Sequence, residues 1–198
     1  MCNHYAKCRY PIQLKTKKVA QLTDEKLMTR VKNGNLDSLS PLFEKYHVKL
    51  FNFFLRLTRN KAVSQDLTQN VFRRIISYRA SYDPQQRFRT WMYQIARNVH
   101  IDHVNQNNLL ISDYAEPAQF AFEQTSALED MDQTNRKKAL YEALSMLSHE
   151  QREILELSKF QGLKYKEIAH ITGNSVTAIK VKVHRAINKL REHYFETV

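Results

Sequence analysis

Only 3 glycines and 4 prolines interrupt the 198 residues, and that scarcity of chain-turning residues is the tightest limit on what this sequence can fold into. A β sandwich or barrel needs turn signals at intervals of about 8–12 residues, and so few Gly and Pro do not provide them. Helices need fewer breaks. With 42% hydrophobic residues there is enough apolar material for a core, so the expected class is all-α. Domains of roughly 100–150 residues are usual, so the length allows one domain or two small ones.

The formal net charge of +11 points to an anionic polymer or an anionic membrane surface as partner. The longest apolar stretches, such as LFNFFLRL at 50–57, fall short of the roughly 18 residues that span a bilayer, so no membrane insertion is expected. The N-terminal MCNHYAKCRYPIQLKTKK is basic but lacks the apolar run of an export signal, which places the chain in the cytoplasm. Cys2, His4 and Cys8 lie together in this tail, residues 1–21. A structural zinc site normally takes four ligands at closer spacings, so the tail reads as frayed, with no metal and no cofactor.

Residues 22–106 carry apolar positions at helical spacing and predict four helices, at about 24–33, 36–59, 62–79 and 88–106. The first has Thr23 or Asp24 as cap and should stop at Asn33-Gly34. The second sets Leu39, Leu42, Phe43, Tyr46, Leu50, Phe53, Phe54 and Leu57 along one face, and Pro41 fits only within its first turn. The polar break SYDPQQR precedes the fourth helix, whose Trp91, Ile95 and Val99 share an inward spacing. Residues 107–132 lose the periodicity and turn acidic, as a flexible linker does. Periodicity returns in 133–198, in pieces at 134–146, 149–161, 165–171 and 175–194.

The stretch YKEIAHITGNSVTAIKVKVHRAINKL, residues 165–190, has the pattern of a helix-turn-helix. Ala169 allows close helix approach, Gly173 and Asn174 tolerate a left-handed turn, and Ser175 can cap the second helix. Val176, Ile179, Val183, Ile187 and Leu190 form a buried stripe on that helix, leaving Lys180, Lys182, His184, Arg185 and Lys189 outward. An apolar back and a cationic front suit a major-groove reader, although an ordinary amphipathic surface helix shares that pattern.

With these residues in view the chain resembles the extracytoplasmic-function sigma factors of bacterial RNA polymerase. EIAHITGNSVTAIKVKVHRA is similar to their C-terminal pattern: Lys180, His184, Arg185 and Ala186 agree, and Thr177, Ala178, Val181 and Lys182 depart from it. Leu144, Leu147, Arg152 and Leu155 are similar to the leader into that domain. The run from Asp66 to Phe72, DLTQNVF, and the run from Phe88 to Asn98, FRTWMYQIARN, resemble two motifs of the family's first domain. Asn105 stands where the family often has Arg.

The resemblance implies two small helical domains, at 22–106 and 133–198, that bind polymerase core and promoter DNA and catalyse nothing themselves. Asp66, Gln69, Phe72 and Arg73 would meet the polymerase, the lesser alternative being a solvated charged face with Phe72 in the core. Tyr78, Tyr82, Arg87, Phe88, Arg89, Arg97 and Asn98 would hold the melted non-template strand at the minus-ten element, where the family keeps a flipped base. Ser175, Lys180, Val181, Lys182, His184, Arg185 and Lys189 would meet double-stranded DNA at the minus-thirty-five element. An anti-sigma factor is a further implied partner.

Two other classes compete. An enzyme would need a phosphate loop, an H-E-x-x-H or a nucleophile elbow, and His47, His100 and His103 lack accompanying catalytic groups. A ligand-responsive helix-turn-helix regulator, not associated with polymerase, would have no reason to carry the two first-domain motifs.

Overall fold

The computed structural model describes residues 22–110 and 131–197. The N-terminal tail with Cys2, His4 and Cys8 lies outside the described residues, as does the linker between 111 and 130. Among the described residues the secondary structure is helical, and no helix is long and apolar enough to cross a membrane.

The N-terminal unit contains α1 (Asp24–Lys32), α2 (Ser40–Thr58), α3 (Lys61–Ser77) and α4 (Phe88–Leu110). Thr23 Oγ1 accepts from Lys26 N at 3.4 Å and starts α1; Gly34, at φ 96°, turns the chain after it. The predicted second helix is two pieces. A 3-10 turn (Leu36–Leu39) leads into α2, and Pro41 sits in the first turn of α2, where its missing N–H is not needed. Asn60 caps α3 by accepting from Val63 N at 3.0 Å. Met28, Val31, Leu42, Leu50, Phe53, Phe54, Val71, Ile75, Met92 and Tyr93 are closed to solvent and make the core. Phe43, expected on the apolar face of the second helix, is instead 44% exposed.

The C-terminal unit contains α5 (Met131–Met146), α6 (His149–Leu155), α7 (Tyr165–Thr172) and α8 (Val176–Thr197). Helices α5, α6 and α7 all pack on α8. Ser148 and Gln151 form a reciprocal cap at the start of α6, at 3.3 and 3.0 Å. Arg152 closes the end of α5, its guanidinium donating to the carbonyls of Leu144, Ser145 and Leu147 at 3.0 Å each. The helix expected to run through 149–161 changes pitch. Residues Glu156–Phe160 form a π turn, with Gln161 N bonded to Glu156 O at 2.9 Å. Both ends of the expected 107–132 linker are helical, since α4 runs to Leu110 and α5 begins at Met131.

Candidate nucleic-acid interface

In the helix-turn-helix, Ile168, Ala169 and Ile171 of α7 are buried, and Gly173 takes the left-handed φ of 70° that the turn requires. Ser175 Oγ then accepts from Ala178 N at 3.1 Å and starts α8. Ile179, Val183 and Ala186 are buried beneath α8, with Val176, Ile187 and Leu190 packed at the edge. Lys180, Val181, His184 and Arg185 stand outward together. Lys182 is turned away from them. Its ammonium meets Glu150 Oε1 at 2.5 Å and Asn174 Oδ1 at 3.1 Å, while Lys189 pairs with Glu192 at 3.0 Å.

On α3, Asp66, Gln69 and Arg73 form an exposed polar face, and Phe72 is buried to 6%. The Phe72 ring packs against Phe43, 4.8 Å between centroids, and Phe43 stacks on His47 at 4.9 Å. Phe72 is therefore a core side chain, and the exposed aromatic beside it is Phe43.

Between α3 and α4 lies a polar hollow of about 230 Å³, lined by Arg74, Tyr78, Ser81, Trp91, Gln94, Ile95 and Asn98. Tyr78, at its lip, is 50% exposed. Two of the residues expected to face DNA here do not. Tyr82 and Phe88 are both fully buried, with Tyr82 packed on Trp91 at 5.1 Å and on Phe88 at 6.4 Å. The apolar contacts of these rings outweigh any exposed placement, so neither can stack on a base in this arrangement.

Three arginines of the N-terminal unit, Arg56, Arg87 and Arg97, face the C-terminal unit, whereas Arg74 pairs with Asp102 of its own unit at 2.7 Å. Arg97 Nε lies 3.1 Å from Glu153 Oε1 without hydrogen-bond alignment. Arg87, 66% exposed, reaches Glu167 at 3.5 Å, and the same carboxylate oxygen accepts from Thr90 Oγ1 at 3.2 Å. Deeper in this face Arg56 and Glu156 form a two-pronged pair at 2.6 and 2.7 Å. Gln161 Nε2 donates to Glu156 at 2.8 Å, Tyr93 donates to Gln161, and the Phe160 ring lies 4.5 Å from the Arg56 guanidinium. Burial lifts the Glu156 carboxyl above the ordinary carboxylate range, against the pull of Arg56 and Gln161. Among the described residues no group of His, Cys, Asp and Glu is arranged to hold a metal.

Known proteins match both units. The family model for sigma-70 region 2 covers residues 42–109, and that for sigma-70 region 4 covers residues 137–190. The RNA polymerase sigma factor CarQ of Myxococcus xanthus is 33% identical over 165 residues, 83% of this chain and 94% of CarQ. The ECF RNA polymerase sigma factor SigM of Bacillus subtilis is 30% identical over 159 residues, 79% of this chain and 95% of SigM. The chain belongs to the extracytoplasmic-function sigma factors.

Two solved structures share the fold of this sigma factor. CnrH, in complex with the cytosolic domain of CnrY, has a TM-score of 0.65 at 21% identity, covering 85% of this chain and 95% of the other. The sigma factor RpoE, in complex with the anti-sigma factor NepR from Bartonella quintana, has a TM-score of 0.66 at 24% identity, covering 78% and 95%. Both matched family models describe regions of sigma factors, which are transcription regulators, and neither describes an enzyme.

Sequence reasoning missed Phe43, Arg74 and Gln94 because helical periodicity gave the first to the core, the second lay outside the motifs, and the third, inside the run FRTWMYQIARN, was given no role. It also missed Glu153, Glu156 and Glu167. Their signal was a carboxylate in each helical piece of an otherwise basic half, visible only once the arginines opposite are known.

Proposed function

We propose that this sigma factor binds RNA polymerase core and directs initiation at a specific promoter, with residues 22–106 and 133–198 as its two working units. The observation that carries this reading is the outward set Lys180, Val181, His184 and Arg185, held on one exposed face of α8 by a buried stripe in a chain that also carries region 2. Residues 181, 184 and 185 lie within one helical turn and 180 is one turn from 184, so a single groove can take all four. Lys182 and Lys189 leave that face and suit phosphates, which position without carrying sequence information.

The polar face of α3, through Asp66, Gln69 and Arg73, with Phe43 beside it, serves as the core-polymerase surface. The hollow beside Tyr78 receives a base from the melted non-template strand, with Gln94 and Asn98 to meet its edge and Arg74 at its wall. Arg87, Arg89 and Arg97 take phosphates of the strand, Arg87 and Arg97 by exchanging Glu167 and Glu153 for them. RpoE in the compared structure is held by an anti-sigma factor, and an anti-sigma partner in the cytoplasm is part of this reading. The ligand-responsive regulator gains no support from a chain whose residues 42–109 match sigma region 2.

The test is reconstitution. Full-length chain mixed with core enzyme should co-elute with it and start transcripts at one promoter and not at scrambled controls. Arg185→Ala should cost about 1–3 kcal/mol at one base pair of the distal element. Failure to co-elute, or an equal loss on every sequence, overturns the reading.

A further inference from the structure

Helix α1 touches both ends of the segment 82–88, which joins two parts of the hollow's lining, Ser81 on one side and Trp91 on the other. At its C-terminal end Lys32 Nζ donates to the carbonyl of Tyr82 at 2.7 Å, fifty residues away in sequence. In its first turn, at the other end, Glu25 Oε1 accepts from the backbone N–H of Phe88 at 3.3 Å, sixty-three residues away. Phe88 is the first residue of α4, and its N–H is one that the helix itself leaves without a partner. Glu25 thus caps α4 from another helix, placing negative charge at the positive end of the α4 dipole. Lys32 supplies a charged donor to a carbonyl in a segment with little regular structure of its own.

Between these two anchors the backbone is held by short-range bonds only. Asp83 accepts from Gln85 N at 2.9 Å and from Gln86 N at 3.0 Å, and Tyr82 OH donates to Gln86 O at 2.8 Å. Both anchors lead to the hollow. Tyr82 packs on Trp91, Phe88 starts the turn that carries Trp91, and Trp91 lines the hollow together with Tyr78 and Ser81. Neither Glu25 nor Lys32 lines the hollow.

We propose that Glu25 and Lys32 are positioning residues for base reading: they set the width and shape of the hollow through Tyr82, Phe88 and Trp91 without meeting DNA. The proposal rests on the reading of the hollow as a base pocket. A misplacement of an ångström at a recognition site is enough to lose discrimination while the fold persists.

The experiment uses holoenzyme assembled from polymerase core and the full chain. It measures affinity for a non-template oligonucleotide carrying the proximal element and for versions with one base changed. Lys32→Met and Glu25→Ala should each reduce the ratio of matched to changed-base affinity by about tenfold, the scale of one charged hydrogen bond. Lys32→Arg and Glu25→Gln, which keep a donor and an acceptor, should restore most of it. Core affinity and affinity for duplex carrying only the distal element should not move. An unchanged ratio overturns the proposal. So does a ratio that falls only together with core and distal-element affinity, because α1 is then a general prop. If Lys32→Met does not fold, the Glu25→Ala and Glu25→Gln pair decides alone. A wild-type holoenzyme that does not discriminate among the oligonucleotides sinks the base-pocket reading itself, a failure distinct from variants that leave a real wild-type ratio intact.

Discussion

His100, on α4, is 1% exposed, its ring is stacked on His149 at 4.7 Å, and its Nδ1 has no hydrogen-bond partner. Burial, reinforced by the charges of His149, His103 and Arg152, pushes its pKa from 6.5 down to about 3. An unfolded chain takes up this proton below about pH 6.5, whereas the folded chain refuses it until about pH 3. Stability contributed by neutral His100 is therefore lost as pH falls below about 6.5, by up to roughly 1.4 kcal/mol per unit. Replacing His100 with Phe keeps an aromatic ring against His149 and removes the proton uptake. Thermal melts near pH 7.5 and pH 5 should differ less for that variant than for wild type. An equal difference would mean that other groups carry the acid sensitivity. The histidine was visible in the sequence as a ring without catalytic company. Its partner was not, because 49 residues separate it from His149 and no periodicity links them. Tyr82 and Phe88 failed for the same reason: a ring beside an irregular segment can face base or core, and only packing decides.

At the scale of the element, the helix-turn-helix was legible because three independent signals agree on it: an apolar period, a glycine and a cap. The structure keeps all three, and each can be weighed. An added Cβ at Gly173 meets nothing within 4 Å, so Gly173→Ala carries only the backbone penalty, about 1 kcal/mol. Ser175→Ala removes the cap and costs about another 1 kcal/mol. Chemical denaturation should show both losses and near-additivity, while base preference at the distal element stays as in wild type. A change of preference would mean that Ser175 meets DNA as well as the helix end. The π turn was illegible for a complementary reason. Glu156 and Gln161 are five residues apart, a separation that an α-helix places on different faces, so a period-based reading treats them as unrelated. The wider turn brings them together at 2.8 Å and presents both to Arg56 and Tyr93.

For the whole molecule, the Arg56–Glu156 pair ties the two units together from an interior position, with side-chain exposures of 16% and 2%. Removing one partner strands the other's charge, so Glu156→Gln should destabilise by about 3 kcal/mol, the lower part of the range for a broken buried pair. Replacing both by Met should recover most of that, and a double-mutant cycle in denaturant measures the coupling. A single variant as stable as wild type would show that the pair is incidental.

The carboxylates Glu153 and Glu167 belong to the same chain as Arg97 and Arg87, so the contacts between them are a first-order equilibrium that dilution does not weaken. Any phosphate that takes these arginines displaces an internal anion, and dissolved salt screens both contests at once. Salt weakens the grip on DNA and also eases release of the internal carboxylates, and the two effects oppose each other in the measured affinity. If Arg87 and Arg97 meet the strand, the slope of log affinity against log salt should therefore be flatter for the free chain than its number of phosphate-binding arginines and lysines would give. Replacing Glu153 and Glu167 by glutamine should steepen it.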